Sequence, residues 1–122
     1  MELKILPQIF SVCKLTDCTA VNLNDEFCFF AKTDEEFSLV CEESRVPLNA
    51  VECESGWRSF RIQGVLDFSL IGILSKISTI LAENGIGIFA VSTFNTDYIF
   101  TKAEQYDRAL ELLRLAGYAV YD

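Results

Sequence analysis

The feature that most constrains the fold is an ordered change in the spacing of apolar residues along residues 57–121. Residues 57–63 alternate between apolar and polar side chains, which is typical of a β-strand with one buried face. Apolar residues then recur at three- and four-residue spacing through residues 70–81, which places them on one face of a helix. Ser69 can cap the start of this helix. Gly85 can end it, because glycine readily adopts the left-handed conformation found after many helices.

The remaining residues of this half continue the alternation of strands and helices. The pattern predicts a strand over Ile86–Thr93, a turn at Asn95–Thr96, a strand over Tyr98–Lys102, a helix over Glu104–Ala116 and a closing strand over Tyr118–Tyr121. The predicted buried stripe of the second helix is Tyr106, Ala109, Leu110, Leu113 and Ala116. The order is βαββαβ, which predicts an α+β, ferredoxin-like fold with two helices on one face of a four-stranded antiparallel sheet.

The first half contains strand patterns and no long helical periodicity. Predicted strands cover Leu3–Leu15, Phe27–Lys32, Phe37–Cys41 and Val51–Glu54, and Pro7 implies an edge or a kink in the first of them. Residues 33–36 fit either a helix capping box or a hairpin turn. We interpret residues 1–56 as an irregular, degenerate copy of the same plan and residues 57–122 as the complete module. The two should share a sheet and a core, because separate cores of about 60 residues are marginally stable.

Charge and hydropathy exclude several classes of function. The net charge is −8, without a Lys/Arg cluster, and this surface would repel the phosphates of nucleic acids. The most apolar stretch, residues 70–81, is interrupted by polar residues and is too short to span a membrane. The N-terminal residues 1–4 do not resemble the start of a signal peptide. We therefore expect a cytoplasmic protein that binds neither nucleic acid nor membrane.

The cysteines and the absence of histidine limit the chemistry of the chain. All five cysteines, Cys13, Cys18, Cys28, Cys41 and Cys53, lie in the first half, and none forms a C-x-x-C pair. We expect reduced thiols, several of them buried as small apolar residues, with a reactive or metal-binding cysteine as the alternative. Because the chain has no histidine, a zinc site would have to use thiolates or carboxylates without the usual spacing, and a Cys–His nucleophile is impossible within the chain. We predict no metal, no cofactor and no catalysis.

Segments across nearly the whole chain carry a family resemblance. They are residues 64–69 with 70–77, residues 83–86, 90–99 and 109–118, and, in the first half, residues 29–33 and 39–47. Together they resemble stand-alone bacterial proteins with paired ACT domains, and are similar to the ACT domains of aspartate kinase and of the animal cytosolic arginine sensor. The resemblance implies a regulatory module. Its members commonly pair side by side and bind a small ligand, often an amino acid, at the seam.

The loop before the first helix is the first candidate ligand site. It comprises Gly64, Val65, Leu66, Asp67, Phe68 and Ser69. The resemblance places the ligand at this loop, and backbone N–H groups at a helix start favour an anion such as a carboxylate. Asp67 could hold the ammonium of an amino acid and Ser69 could donate its hydroxyl, although Asp67 could instead compensate the positive helix end. Many ACT domains have a proline in this loop, and this sequence lacks it.

The turn between the second and third strands is the other candidate region. It contains Asn95 and Thr96, and Asp97 lies just after them. In the arginine-sensor branch, an aspartate of this turn region contacts the ligand, which makes Asp97 a candidate partner for an ammonium or a cationic side chain. The alternative is that Asp97 only stabilises the turn by bonding to nearby backbone.

Three functions follow from these predictions. The first is a sensor that binds an amino acid, forms a homodimer and regulates a separate protein partner, because the chain has no effector domain of its own. The second is a structural interaction module without a ligand. The third is an enzyme on the same fold, in which Asp67 and Asp97 would serve as acid and base.

Overall fold

Residues 1–63 and 72–122 are described in a computed structural model, and they form seven strands and two α-helices. The elements are β1 (Glu2–Leu15), β2 (Cys28–Lys32), β3 (Phe37–Glu42), β4 (Ala50–Ile62), α1 (Ile73–Glu83), β5 (Ile88–Ser92), β6 (Asp97–Lys102), α2 (Ala103–Leu115) and β7 (Ala119–Tyr121). A short 3₁₀ helix, Glu43–Arg45, lies between β3 and β4. The predicted α+β class and the βαββαβ order of the second half are confirmed.

The chain divides into two compact units. Residues 8–57 form one unit, which we call the strand unit, and residues 1–7 with 58–122 form the other, which we call the helical unit. Strands β1 and β4 each contribute residues to both units. The sequence-based division instead kept residues 1–7 with the first module.

The strand unit follows the ferredoxin-like plan without its helices. Its strand order is β2-β3-β1-β4, and both the β2–β3 and the β1–β3 pairs are antiparallel. Residues 16–27 and the 3₁₀ helix occupy the two chain positions where that plan has helices. Residues 33–36 form a hairpin turn rather than a helix cap, because the Thr33 N–H donates to the Glu36 carbonyl over 2.9 Å.

The helical unit contains one strand more than the sequence predicts. Its order is β7-β1-β4-β6-β5, and residues 2–4 of β1 pair in parallel with β7. The prediction of a four-stranded, wholly antiparallel sheet is therefore wrong in this respect. The reason is that Leu3 is fully buried in the core of this unit, which brings the first residues of the chain between β4 and β7.

The core of the helical unit combines the inner faces of the strands with those of both helices. It contains Leu3, Phe60, Ile62, Ile77, Leu81, Ile86, Ile99, Tyr106, Ala109, Leu110 and Leu113. The predicted stripe of α2 is confirmed except at Ala116, which is exposed because α2 ends at Leu115. Gly85, at φ 73°, follows α1 as predicted, and the Ile86 N–H donates to the Leu81 carbonyl over 2.9 Å.

Two strand predictions also needed revision. The strands predicted over residues 51–54 and 57–63 are parts of the single strand β4. Pro7 does not interrupt the pairing of β1 with β7 or with β3, because it lies between the residues that form these two pairings. A long strand therefore tolerates a proline at this position.

Candidate functional site

The predicted loop site lies outside the described residues. Gly64, Val65, Leu66, Asp67, Phe68 and Ser69 all belong to the range 64–71, so their proposed contacts remain predictions. The described chain resumes at Gly72, which precedes α1 with a φ of 82°. The Lys76 N–H donates to the Gly72 carbonyl over 2.9 Å, so this residue closes the first turn of the helix.

The β5–β6 turn is held by the hydroxyl groups of two threonines. The N–H of Thr93 donates to the Thr96 carbonyl over 2.8 Å, and its hydroxyl donates to the same oxygen over 2.9 Å. The Thr96 hydroxyl donates to the Ile62 carbonyl over 2.6 Å and is buried there. Thr96 therefore joins the turn to the end of β4, which gives it a structural role in the helical unit.

Asn95 precedes Thr96 in the chain and Asp97 follows it, and the two flanking residues have different environments. Asp97 begins β6, pairs with Ser92 and is half-buried. Strand alternation places it on the face of Ile99, which is buried in the core of the helical unit, and places Tyr98 on the opposite face. Asn95 is exposed.

A cleft at the end of β4 brings two of the predicted residues together. Its volume is about 290 Å³. The residues that line it are Arg61, Ile62, Gln63, Thr93, Asn95, Thr96 and Tyr98. Asn95 and Thr96 therefore belong to this Arg61 cleft, whereas Asp97 lies outside the set of lining residues. Gln63 is the last described residue before the predicted loop site.

Arg61 supplies the positive charge of the cleft. Its Nε donates to Gln63 Oε1 and its Nη1 to Tyr98 Oη, both over 3.2 Å, and its guanidinium carbon lies 5.8 Å from the centre of the Tyr98 ring. Neither of the ion pairs found among residues 1–63 and 72–122 involves Arg61. A guanidinium has five N–H donors and suits a carboxylate well. The arrangement is therefore able to bind a ligand carboxylate.

Sequence reasoning missed Arg61 because it treated the residue as an exposed, polar position of an alternating strand. One signal was present in the sequence. An arginine located three residues before Gly64 lies close along the chain to the predicted ligand loop. Its neighbours Asn95 and Thr96 were found from their turn-forming character, but their proximity to β4 requires the three-dimensional pairing of β4 with β6.

A second concave region lies along α1 and contains the side-chain ammonium group of Lys76. One cleft of about 310 Å³ is lined by Met1, Ile73, Lys76, Ala116, Gly117 and Tyr118. Another of about 350 Å³ is lined by Ser75, Lys76, Thr79, Ile80, Ala116 and Tyr118. The two share Lys76, Ala116 and Tyr118. The lining residues around Lys76 are apolar or uncharged, so this region offers fewer polar groups than the Arg61 cleft.

The described residues contain neither a metal-binding cluster nor a membrane-spanning helix. No group of three or more Cys, Asp or Glu side chains in the described ranges has a geometry that could hold a metal ion. No helix among them is long and apolar enough to cross a membrane.

Comparison with known proteins identifies related sequences and structures. A family model described as ACT domain matches residues 52–114. A protein from Agobacterium tumefaciens is 31% identical, with a TM-score of 0.86 over 98% of this chain and 91% of that chain. None of the curated proteins shows a significant similarity to the chain.

Two more distant structures share the fold. A protein from Vibrio cholerae, described as a protein of unknown function and possible transport protein, is 20% identical, with a TM-score of 0.75 over 92% of this chain and 86% of that chain. The regulatory subunit of aspartate kinase from Thermus thermophilus, in its ligand-free form, is 10% identical, with a TM-score of 0.67 over 96% of this chain and 97% of that chain. At these identities the likeness concerns the fold alone.

Proposed function

The chain belongs to the ACT domain family, and from this premise we propose that it is a regulatory module that binds an amino acid and acts on a separate protein partner. Family membership supports ligand binding and regulation in general. The Arg61 cleft supports the class of ligand. The absence of histidine from the sequence supports a role without catalysis.

The observation that carries the proposal is the half-buried guanidinium of Arg61 at a cleft lined by polar groups. The α-carboxylate of an amino acid would accept the N–H groups that Arg61 does not use for Gln63 and Tyr98. The side-chain carbonyl of Asn95 would accept from the ammonium. A volume of about 290 Å³ suits a small ligand, since sites for drug-sized molecules begin at roughly 300 Å³.

The experiment is a thermal-shift screen of the protein against the twenty amino acids. At one hundred times its Kd, a ligand of the folded state adds about 2.7 kcal/mol of stability, which raises Tm measurably. Each active amino acid is then compared with its amide and its decarboxylated amine. If Arg61 binds the carboxylate, both analogues lose the shift.

A pair of matched variants tests whether the amino acid binds at the Arg61 cleft. Arg61→Gln should abolish the shift, whereas Arg114→Gln should retain it, because Arg114 lies on the exposed side of α2 beside Glu111. A full shift in Arg61→Gln would place the ligand elsewhere and reject the assignment of this cleft.

The second candidate function is a structural interaction module without a ligand. It is favoured by the hydroxyl groups of Thr93 and Thr96, which are occupied within the protein rather than directed to a ligand. In this case no amino acid would change Tm.

Both candidate functions, the amino-acid sensor and the structural interaction module, include formation of a homodimer. Within the described ranges, β2 is a terminal strand of the strand unit and β5 and β7 are the terminal strands of the helical unit, and exposed strand edges favour pairing between chains. Light scattering of the protein across a dilution series would show a dimer, and a constant monomer mass would contradict this part of the proposal.

A further inference from the structure

The strand unit places one cysteine on each of its four strands. They are Cys28 on β2, Cys41 on β3, Cys13 on β1 and Cys53 on β4, which is also the order of these strands in the sheet. Cys13 and Cys41 are buried in one apolar cluster, and Cys28 packs against it. Cys53 is exposed. Along this row, the exposed thiol of Cys53 on β4 is followed by the buried thiols of Cys13 and Cys41, and Cys28 on β2 is partly buried.

The closest pair in this row is Cys13 with Cys53. Their sulfur atoms lie 2.9 Å apart, which is within about 1 Å of the roughly 2.05 Å length of a disulfide bond. Two residues further along the same two strands, the hydroxyl oxygens of Ser11 and Ser55 lie 2.8 Å apart. Two successive contacts of this kind show that β1 and β4 direct these side chains toward each other on one face. The two sulfur atoms are therefore close enough for a small movement of the side chains to join them.

We infer that Cys13 and Cys53 form a reversible disulfide across β1 and β4, which makes this pair an oxidative modification site for a small disulfide such as glutathione disulfide. The exposed Cys53 reacts first. Its thiolate attacks one sulfur of glutathione disulfide, forms a mixed disulfide and releases a glutathione thiolate.

The second step uses the buried partner. The Cys13 sulfur attacks the Cys53 sulfur of the mixed disulfide, the second glutathione leaves as a thiolate, and the proton of Cys13 passes to it through solvent. Two protein thiols and one glutathione disulfide thereby give one protein disulfide and two molecules of glutathione. Burial, together with the neighbouring Cys53, raises the pKa of the Cys13 thiol. Because the thiolate is the nucleophile, the raised pKa and the burial of Cys13 favour Cys53 as the thiol that reacts first with the oxidant.

Cys28 and Cys41 are the competing pair, because they lie directly opposite each other on β2 and β3. Cys41 is almost completely buried, and burial raises its pKa to about 11. Neither member of that pair is classed as exposed, unlike Cys53, so an oxidant of the size of glutathione disulfide reaches Cys53 more easily.

Peptide mapping distinguishes the two pairs. The reduced full-length protein is equilibrated in glutathione buffers of increasing oxidised fraction, its remaining thiols are alkylated, and it is digested with trypsin. Cleavage after Lys4, Lys14, Lys32, Arg45 and Arg58 separates the relevant cysteines. The expected product is peptide 5–14 linked to peptide 46–58, and it should disappear when dithiothreitol is added. A link between peptides 15–32 and 33–45 without this product, or no linked peptide at all, would overturn the inference.

Variants provide the control. Cys53→Ser removes an exposed sulfur, so the variant should fold, and oxidation should give no linked product. Cys18→Ser, also at an exposed position, should oxidise like the parent protein. Oxidation should also raise Tm in the parent and in Cys18→Ser, because the cross-link restricts the unfolded chain, and leave it unchanged in Cys53→Ser. An equal rise in all three would contradict the assignment.

Discussion

Tyr106 illustrates which part of a single side chain's role can be predicted from sequence. Its position in the apolar stripe of α2 correctly predicts burial. Its hydroxyl, however, donates to the Ser59 carbonyl over 2.6 Å, and its ring lies 4.4 Å from the guanidinium carbon of Arg58. Both partners are on β4, more than 45 residues earlier in the chain. Periodicity predicts that a residue is buried, but it does not identify polar partners from another element.

Replacing Tyr106 by phenylalanine tests this hydrogen bond. The Ser59 carbonyl would lose its buried donor, so Tyr106→Phe should reduce the free energy of unfolding by about 1–3 kcal/mol. Tyr121→Phe removes a hydroxyl from a partly exposed ring and should change stability by less than about 0.5 kcal/mol. Urea unfolding of both variants measures the difference. Equal stability of the two variants would show that the buried hydrogen bond contributes nothing.

The same residue predicts a dependence of stability on alkaline pH. Burial raises the pKa of Tyr106 from 10.0 to about 12, despite the opposing effect of Arg58. Because the folded-state pKa lies above the unfolded value, the contribution is complete below pH 10 and is lost between pH 10 and 12. Its size is on the order of 2–3 kcal/mol. The parent should therefore lose more stability than Tyr106→Phe over this interval, while the thiols titrate equally in both. Parallel curves would contradict the raised pKa.

The ends of the helices could be predicted at the element scale because they depend on local chemistry. Gly85 and Gly117 follow α1 and α2 at φ 73° and φ 102°, and each is followed by an N–H that donates back to the last helical turn. Such a motif requires only a glycine after an apolar stripe, which the sequence displays directly. The start of α1 was predicted less well, because the helix begins at Ile73 after the N-cap residue Gly72, three residues later than the apolar spacing over residues 70–81 predicts.

Gly85→Ala tests the contribution of this helix end. An alanine forced into the left-handed region should cost about 1–2 kcal/mol. Gly87→Ala is the matched control. Neither glycine has a neighbouring atom within 4 Å of an added methyl group, but only Gly85 has a positive φ. Gly87→Ala should therefore change stability by less than about 0.5 kcal/mol. Thermal unfolding followed by circular dichroism compares them, and similar losses would mean that φ is not the cause.

Only the residues of the candidate site that belong to one local segment of the chain could be predicted from the sequence. The Asn95–Thr96 turn follows from residue type, and its hydrogen bonds confirm it. The sequence places Asp97 between the Asn95–Thr96 turn and the following strand, whereas it is the first residue of β6. Arg61 belongs to another element altogether. A site assembled from the end of β4 and the β5–β6 turn requires knowledge of which strands are neighbours, and single-sequence periodicity does not provide that.

At the scale of the whole molecule, the two halves follow one plan with unequal completeness. The strand unit has the ferredoxin-like strand order without α-helices, in agreement with the lack of helical periodicity in residues 1–56. The association of residues 1–7 with the helical unit could not be predicted. Apolar residues occur on both sides of Pro7, and their pattern alone does not show that the first residues of β1 pair with β7 rather than with β3.

Leu3 tests whether the start of the chain is an integral part of the helical unit. It is fully buried among Phe60, Ile62 and the inner faces of both helices, so Leu3→Ala should leave a cavity and cost about 2–5 kcal/mol. Leu23→Ala removes the same atoms from a side chain that is 76% exposed and should cost less than about 0.5 kcal/mol. Urea unfolding measures both variants. If Leu3→Ala and Leu23→Ala were equally stable, residues 1–7 would not contribute measurably to the stability of the helical unit. A large loss in Leu3→Ala alone would mean that residues 57–122 depend on a strand contributed from the beginning of the chain, because no other described segment occupies the place between β4 and β7.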